Sequence, residues 1–491
     1  MIPELRPLFS GLQLLNNSFR ESAARTTDAI VFYSLLAVIA LVAIPYGTVQ
    51  PWWQSVFQCL VFALAALSIL QNLIRPQRTT HRTSAVDYQL LWPILALISF
   101  AFLQTLPVPA FIRASAHSGP TLSADPFQTQ QFIIHVLTLV IVAWLLIVHT
   151  NSRSRLRRLV EMVITVGTVS ALFGLWRQAS QHAPGFVLPH LLPGYGYAQF
   201  INPNHFAFLM ELALGLTLGI VVCRGVKGRR LAIYLIAAVP MWISLVLANS
   251  RGGILSILCQ VLFLALLLSV DRDSRPAARD SSKFMSRVLR ASRSVAVRGV
   301  LVAALLVGAI TMVVMVGGDP LAGKVDSIAV ELDRQTADTF TLRPAIWRAT
   351  WELIKDHPVS GVGFGGYWIG ITKYHVASGA TTPQEAHNDY LELLASGGVI
   401  GVAIGFWFAL ALVRTAKQKL NKLRSTGAAA VAPNSFERAI TLGAVAGILT
   451  VAIHSLVDFG LHITINAVVF TVLVSIICIT VEEDGPLTPE V

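Results

Sequence analysis

Charged residues are scarce in this sequence: they make up 13% of its 491 residues, whereas 54% are hydrophobic. A soluble domain carries about 25% charged residues, so the deficit excludes an ordinary soluble protein. Apolar runs of roughly 20 residues, the length that crosses a bilayer as a helix, recur along almost the whole chain. These runs are continuous rather than alternating, which excludes the strands of a membrane β-barrel. The composition therefore predicts an all-α polytopic membrane protein.

Cysteine is equally scarce, and the four cysteines form no recognisable site. All four lie in or at the ends of apolar runs, where they act as small hydrophobic residues: Cys59, Cys223, Cys259 and Cys478. Their spacing matches neither a disulfide framework nor a zinc site. The cysteines consequently do not indicate a redox compartment.

About twelve membrane-spanning helices are predicted from the apolar runs. They are residues 29–45, 53–74, 88–106, 131–149, 158–176, 205–223, 231–249, 253–270, 299–316, 399–413, 438–457 and 462–480. No small-residue cleavage site follows the first run, so we interpret it as an uncleaved helix rather than a signal peptide.

The net charge of +11 would suit a nucleic-acid partner, but the placement of the basic residues excludes one. Of the 37 lysines and arginines, 28 lie in the N-terminal segment and in alternate connections between the predicted spans. Since cytoplasmic loops are enriched in Lys and Arg, that side is predicted to be cytoplasmic. The predicted organisation is a cytoplasmic segment 1–28, spans one to nine in 29–316, a large periplasmic loop 317–398, spans ten to twelve in 399–480 and a cytoplasmic tail 481–491.

The loop 317–398 is the one long outer connection, and long loops with their own helical signals are usually functional. Within it, "RPAIWRATWELIKDHP" predicts an amphipathic helix that lies on the outer leaflet or packs over the bundle. The stretch "GVGFGG" at 361–366 matches a dinucleotide fingerprint in letters only, because an amphipathic helix and Pro358 precede it instead of a strand, on the predicted outer face where such cofactors are absent. We therefore reject a nucleotide site there and expect a turn.

Three arginines on the predicted outer side are candidates for phosphate binding. Arg251 stands in "ANSRGG" between spans seven and eight, where it either snorkels to lipid headgroups or presents a fixed guanidinium to a phosphate. Arg343 precedes Pro344 and is expected just outside the amphipathic helix. Arg348 falls on the polar face of that helix, where solvation is the simpler interpretation.

Two further motifs bring polar residues to the same side. "HSLVDFGLH" places His454, Asp458 and His462 at the spacing of a metal-binding helix face, but the helix should break near Gly460. A polar network that supports the bundle is the interpretation we favour, with no metal. "FINPNHFAF" places Asn204 and His205 at the start of span six, where a helix cap explains the pattern.

"EAHNDYLELLASGGVIG" at 385–401 contains the candidate for general-base catalysis. Asn388 or Asp389 can cap the helix that follows. His387 is then either a bystander or a proton acceptor, since imidazole titrates near neutrality. The pattern alone leaves both interpretations open.

Together these motifs resemble the O-antigen ligase and polymerase superfamily. The resemblance runs through "IPYGTVQPWW", "FINPNHFAF", "NSRGG", "RPAIWRATWELIKDHPVSGVGFGGY", "AHNDYLELLASGGVIG" and "HSLVDFGLH", from residue 45 to residue 470. It implies a bundle of the GT-C-like membrane glycosyltransferase kind with a periplasmic loop between spans nine and ten. It also implies His387 as the base and Arg251 and Arg343 as ligands of the diphosphate, with Asn388, Asp389, Arg348, Asn204, His205, His454 and Asp458 in support.

The activity that the resemblance implies is transfer of glycan from undecaprenyl diphosphate to an acceptor hydroxyl, on the periplasmic face of a bacterial inner membrane. A ligase would use lipid A–core as the acceptor, and a polymerase would use a growing lipid-linked glycan. No cofactor is expected, because a base and fixed cations suffice for an inverting displacement of an activated sugar. A transporter is the alternative of another class, but its polar sites would lie near the bilayer midplane.

Overall fold

The computed structural model describes residues 6–74, 88–107, 121–180, 188, 191, 196–273, 343–375, 382–425 and 435–481. In these ranges the regular secondary structure is helical, apart from two isolated β-bridges. The helices are α1 (Arg6–Ala43), α2 (Pro51–Ile74), α3 (Tyr88–Gln104), α4 (Pro126–His149), α5 (Arg153–Ala179), α6 (Pro203–Val222), α7 (Arg229–Leu247), α8 (Arg251–Asp273), α9 (Arg343–Asp356), α10 (Tyr367–Gly370), α11 (Asp389–Ser425), α12 (Ser435–His454) and α13 (Thr464–Cys478). Two short 3-10 helices, Ile371–Lys373 and Gly460–His462, complete the described elements.

The helices agree with the predicted membrane spans wherever the structure describes them. Eight helices among the described residues are long and apolar enough to cross a membrane: α1, α2, α4, α5, α6, α7, α11 and α12. The remaining apolar helices α3, α8 and α13 are shorter and coincide with three further predicted spans. The predicted span 299–316 lies outside the described residues. A helical, polytopic membrane architecture is thus confirmed, while the number twelve and the periplasmic loop stay predictions.

Contacts between distant segments define two ends of the bundle. At the first, which we call the basic end, His149 Nδ1 lies 2.7 Å from Asp28 Oδ1, and Arg153 Nε lies 3.4 Å from Glu437 Oε1. At the other, the site end, the Thr464 hydroxyl donates to the Thr48 carbonyl at 2.8 Å. The motifs singled out in the sequence collect at the site end.

Helices α6 and α12 cross at glycines, which sets the geometry of the site end. A Cβ atom on Gly215 would lie 2.7 Å from Gly447 Cα, and one on Gly219 would lie 2.4 Å from Gly443 Cα. On each helix the two glycines are four residues apart, which is the small-x-x-x-small spacing that lets helix backbones approach closely in membranes. This crossing brings the start of α6, with the "FINPNHFAF" motif, next to the end of α12.

Helix α11 is interrupted at Gly398, whose φ of 60° and ψ of −161° are not helical. The interruption leaves backbone groups without intrahelical partners, and residues 358–363 satisfy them. Val399 N donates to Pro358 O at 2.9 Å, while Val362 N donates to Ala395 O at 2.9 Å. The loop therefore fixes the first turns of α11, which follow His387.

The glycine-rich stretch 361–366 is a packed turn, as its sequence context predicts. Gly361, Gly363 and Gly365 all have positive φ angles. The buried side chain of Gln104 donates to Ser360 O at 2.7 Å and accepts from Phe364 N at 3.2 Å. The backbone groups of the turn are thus engaged with α3 and α11.

Helix α9 packs over the site end as the predicted amphipathic helix, with one difference. Its buried side chains are Ile346, Ala349, Thr350, Leu353 and Ile354. Trp351, which the sequence pattern places on the apolar face, is 50% exposed. Trp347 is partly buried, and its indole donates to Ala386 O at 2.9 Å. One indole therefore ties α9 to the segment of His387, and the other lies at the edge of the packed face.

Candidate functional site

Asp458 is the centre of a polar cluster at the site end. Its side chain is 1% exposed, yet it faces three groups from distant parts of the chain. The Arg343 Nη2 atom donates to Oδ2 at 3.0 Å, and the Asn204 amide donates to the same oxygen. His387 Nδ1 lies 3.4 Å from Oδ1. A buried carboxylate is stable only when it is paired, so these partners explain its burial.

The electrostatics keep Asp458 negatively charged. Burial raises the pKa of its carboxyl, but the interactions with His387 and Arg343 outweigh burial and lower the pKa to about 2. Because this pKa lies below the ordinary value of about 3.9 for an aspartate, the charged carboxylate stabilises the folded protein at neutral pH. This stabilisation is lost as the pH falls from that ordinary value through the lowered pKa. The carboxylate therefore stays charged over the physiological range, and in that state it faces both His387 and Arg343.

His387 has a backbone conformation that few residues other than glycine adopt. Its φ is 50°, in the left-handed region that is uncommon for residues with a side chain. The neighbouring backbone fixes this conformation, because Ala386 N donates to Glu392 Oε2 at 2.9 Å. The ring packs edge-to-face on Phe459 at 4.8 Å. Its side chain is 31% exposed, so one edge of the imidazole remains accessible.

The two residues after His387 anchor the start of α11, as the sequence predicts for a helix cap. Asn388 Oδ1 accepts from Tyr390 N and from Leu391 N, each at 3.0 Å. Asp389 N donates to Ser455 O at 2.9 Å, and the Ser455 hydroxyl donates to Asp389 Oδ2 at 2.5 Å. Asn388 is therefore the cap, and Asp389 ties the helix to the segment before Asp458.

Arg251 begins α8 and is exposed at the site end. The following residue, Gly252, lies so close to the end of α12 that a Cβ atom would approach the His454 ring to 2.5 Å and Val457 to 2.9 Å. Arg251 consequently stands beside the segment that carries Asp458. Arg343 reaches the same segment from α9. It is the first residue of that helix, whereas the sequence pattern predicts a position just outside the helix.

The remaining predicted residues divide between the cluster and its surroundings. His205 packs edge-to-face on Phe459 at 4.8 Å, and its residue is 8% exposed. His454 is buried against Phe208, with Nδ1 2.7 Å from Glu211 Oε1. Arg348 is exposed on α9. Thus His205 adjoins the cluster, His454 supports the helices beneath it, and Arg348 is exposed to solvent.

The residues of "HSLVDFGLH" contact three different sets of partners. His454 pairs with Glu211, Asp458 faces His387 and Arg343, and His462 faces other carboxylates. The helix ends at His454, before Gly460, where the break was expected. The arrangement is therefore a polar network that joins several helices at the site end.

His462 belongs to a second polar cluster, which the sequence did not reveal. Its Nδ1 atom lies 3.3 Å from Glu385 Oε2, and its Nε2 atom lies 3.5 Å from Glu392 Oε1 and 3.7 Å from Asp389 Oδ1. Burial lowers the pKa of His462, but the two glutamates outweigh burial and raise it well above its ordinary value. For Glu385 the effects are reversed: burial raises the pKa, but the adjacent His462 holds it below its ordinary value.

The second cluster contains side chains of the types that coordinate metal ions. One ligand atom each from Glu385, Glu392 and His462 lie within 4.8 Å of one another. Carboxylate oxygen and imidazole nitrogen together suit zinc or manganese. In the present arrangement, however, both ring nitrogens face carboxylates, so an imidazolium already neutralises part of the acidic charge.

An apolar cavity of about 440 Å³ opens beside the second cluster. Side chains of α3, α4, α11 and α13 line it, including Leu97, Leu139 and Phe408. Its polar lining includes His135, Asp389, Glu392 and His462. The cavity thus connects an apolar space between helices to the polar site end.

The fold and the site define a polytopic helical membrane protein with a histidine, arginine and aspartate centre at one end. Residues 236–406, about a third of the chain, match the family model described as O-antigen ligase. The match confirms the resemblance to the O-antigen ligase and polymerase superfamily, and it includes Arg251, Arg343 and His387. A comparison with curated proteins finds no match.

The sequence contained partial signals for the residues that it failed to assign. Glu385 and Glu392 flank His387 in the same motif, and Glu211 is a lone acid within an apolar span, where ionisable residues are costly and functional. The sequence spacing of His454 and His462 gives no sign that His462 pairs with Glu385 and Glu392 or that His454 pairs with Glu211. Pairing them requires the crossing of α6, α11 and α12, which no local pattern encodes.

Proposed function

We propose that the chain is an inner-membrane glycosyltransferase that moves a glycan from undecaprenyl diphosphate to an acceptor hydroxyl. We further propose that it is an O-antigen ligase with lipid A–core as the acceptor and that the site end faces the periplasm. The observation that carries the proposal is the placement of Asp458 between His387 and Arg343. A base and a cation held by one carboxylate are what an inverting displacement requires.

His387 would take the proton of the acceptor hydroxyl. Because Nδ1 faces Asp458, the Nε2 atom is the one available to the acceptor, and the carboxylate favours the tautomer with hydrogen on Nδ1. The 3.4 Å separation in the free protein is typical of catalytic contacts that tighten when substrate binds. The deprotonated oxygen then attacks the anomeric carbon from the face opposite the diphosphate.

Arg343 and Arg251 would hold the diphosphate and stabilise the charge that develops as the anomeric carbon–oxygen bond breaks. Guanidinium groups bind phosphate oxygens bidentately. Removing one such donor costs roughly 2.7–4 kcal/mol of barrier, or about 10²–10³ in kcat. Arg343 is 41% exposed while it pairs with Asp458, so part of its guanidinium remains open to a ligand.

The site end favours an enzyme over a transporter. Transport sites lie near the bilayer midplane, where broken helices expose backbone groups to the substrate. In the described residues, His387, Arg343 and Asp458 lie outside the long apolar helices or at their first residues. The break in α11 at Gly398 is filled by residues 358–363 rather than left open.

Purified protein in lipid vesicles, supplied with undecaprenyl diphosphate-linked glycan and lipid A–core, tests the proposal. Glycosylated lipid A–core is the expected product, and His387→Ala should lower kcat by about 10²–10⁴-fold, the usual contribution of a general base. Arg251→Ala and Arg343→Ala should each lower the rate by about 10²–10³-fold. Lys355→Ala, an exposed cation on α9, is the control and should stay within about twofold.

Two outcomes would contradict the proposal. Undiminished transfer by His387→Ala would remove the base, and undiminished transfer by both arginine variants would remove the diphosphate ligands. A chelator should leave the transfer intact, because a base and fixed cations perform the chemistry.

A lipopolysaccharide gel of a deletion strain separates the ligase from its sibling activity. Loss of a ligase leaves bare core while lipid-linked polymer accumulates. Loss of a polymerase leaves core that carries a single repeat, which would reassign the chain to glycan extension.

A further inference from the structure

The two polar clusters of the site end contact the same aromatic ring. His387, in the Asp458 cluster, packs on Phe459 at 4.8 Å, and His462, in the second cluster, packs on the same ring at 5.9 Å. The first cluster carries Arg343 and adjoins Arg251, whereas the second carries three carboxylates around one imidazolium. A cationic pole and an acidic pole therefore both adjoin Phe459.

A donor diphosphate and the acidic pole repel each other, so the donor belongs on the cationic side. Carboxylates are acceptors only, and they form strong hydrogen bonds with hydroxyl groups. Glu385 is 27% exposed and His462 is 40% exposed, whereas Glu392 is 9% exposed. Glu385 and His462 are thus the members of the acidic pole that a ligand can reach.

A third imidazole beside Phe459 indicates an occupant independently of the acidic residues. His205 is 8% exposed, and its Nε2 atom has no hydrogen-bond partner in the described part of the chain. It packs on Phe459 at 4.8 Å and lies within electrostatic range of Asp458, His387, Glu385 and His462. Buried polar atoms are nearly always paired, so an unpaired nitrogen at this position points to a ligand.

The cavity of about 440 Å³ supplies the final constraint, because His462 lines both it and the acidic pole. A molecule that fills both regions has hydroxyl groups at one end and an apolar chain at the other. We propose that Glu385, His462 and His205 form the acceptor subsite, which binds the sugar hydroxyls of a glycolipid beside Phe459, while the donor diphosphate occupies the cationic pole. This assignment rests on the proposed function and adds the residues that select the acceptor.

The subsite is tested by equilibrium binding in a background that cannot turn over, His387→Ala. Two probes are used: purified lipid A–core and undecaprenyl diphosphate. Glu385→Gln should raise the dissociation constant for lipid A–core about tenfold or more, as expected when a hydrogen bond to a charged group is lost. The same variant should leave the dissociation constant for undecaprenyl diphosphate within about twofold of its original value. Glu352→Gln, an exposed acid on α9, is the matched control and should change neither.

Several outcomes would overturn the assignment. Unchanged lipid A–core binding by both Glu385→Gln and His205→Gln, with native melting temperatures, would remove the subsite. Weaker binding of undecaprenyl diphosphate instead would place the donor there. Loss of acceptor binding on chelation, restored by manganese or zinc, would make the acidic pole a metal site.

The proposed function and the subsite fail in different ways. If the wild-type protein transfers no glycan but its binding of lipid A–core depends on Glu385, only the proposed reaction is wrong. If transfer proceeds and Glu385→Gln binds lipid A–core normally, only the subsite is wrong.

Discussion

At the residue scale, one carboxylate determines the geometry of the proposed base and of one phosphate ligand. Asp458 contacts His387 and Arg343 at the same time, and Asn204 donates to it as well. Hydrogen bonds to charged groups are worth about 1.5–3 kcal/mol each. Since Asp458 acts through its neighbours, it is a positioning residue.

Replacement of Asp458 tests this role. Asp458→Asn keeps the size of the side chain but removes its charge, so kcat should fall and the donor KM should rise, because both His387 and Arg343 lose their partner. Two such contacts together correspond to a loss of about 10²–10⁴-fold in kcat/KM. Steady-state kinetics measure it, with Asp356→Asn, an exposed ion-pair partner of Lys373, as the control. A loss confined to kcat with an unchanged donor KM would contradict the link to Arg343.

At the element scale, the break in α11 holds the catalytic segment in place. Gly398 has a conformation that is essentially restricted to glycine, and residues 358–363 fill the gap with backbone hydrogen bonds. The consequence is a rigid platform under His387, Asn388 and Asp389. The glycine crossing of α6 and α12 then sets where that platform meets Asp458.

Substitution at the break should unfold the platform. A Cβ atom on Gly398 would lie 2.2 Å from the Val359 carbonyl oxygen, so Gly398→Ala should cost at least the roughly 1–3 kcal/mol of a strained backbone conformation and lower the melting temperature in detergent. Gly401→Ala is the matched control, because its Cβ atom would meet nothing closer than 3.4 Å. Equal melting temperatures for the two variants would refute the role of the break.

At the scale of the whole molecule, polarity is divided between the two ends of the bundle. The basic end carries Arg153, Arg155 and the 224–230 connection, which the positive-inside rule assigns to the cytoplasm. The site end carries His387, Asp458 and the acidic cluster. Under the proposed function, this division would bring the donor and the acceptor to the same membrane face.

Labelling of single cysteines tests the orientation. In a background without the four native cysteines, Thr372→Cys at the site end should react with a membrane-impermeant maleimide in intact spheroplasts. Lys227→Cys at the basic end should react only after permeabilisation, since both positions are exposed and only the membrane separates them. The reverse pattern would place the proposed active site in the cytoplasm.

The sequence by itself determined the class of the protein, the positions of most helices and the best candidates for catalysis. These features are local: an apolar run of sufficient length must form a helix in a bilayer, and Asn388 caps α11 through groups two and three residues away. The GxxxG spacings of α6 and α12 are also legible in the sequence. Motif letters singled out Arg251, Arg343 and His387 together.

Only the tertiary structure decided which side chains meet. Arg343 and Asp458 are 115 residues apart, and Asn204 and Asp458 are 254 residues apart, so their contact depends on how α6, α9 and α12 pack. The same packing separates His454, Asp458 and His462, which the sequence spacing groups together. It also pairs His462 with Glu385, because side-chain partners are chosen by helix crossings that no local periodicity specifies.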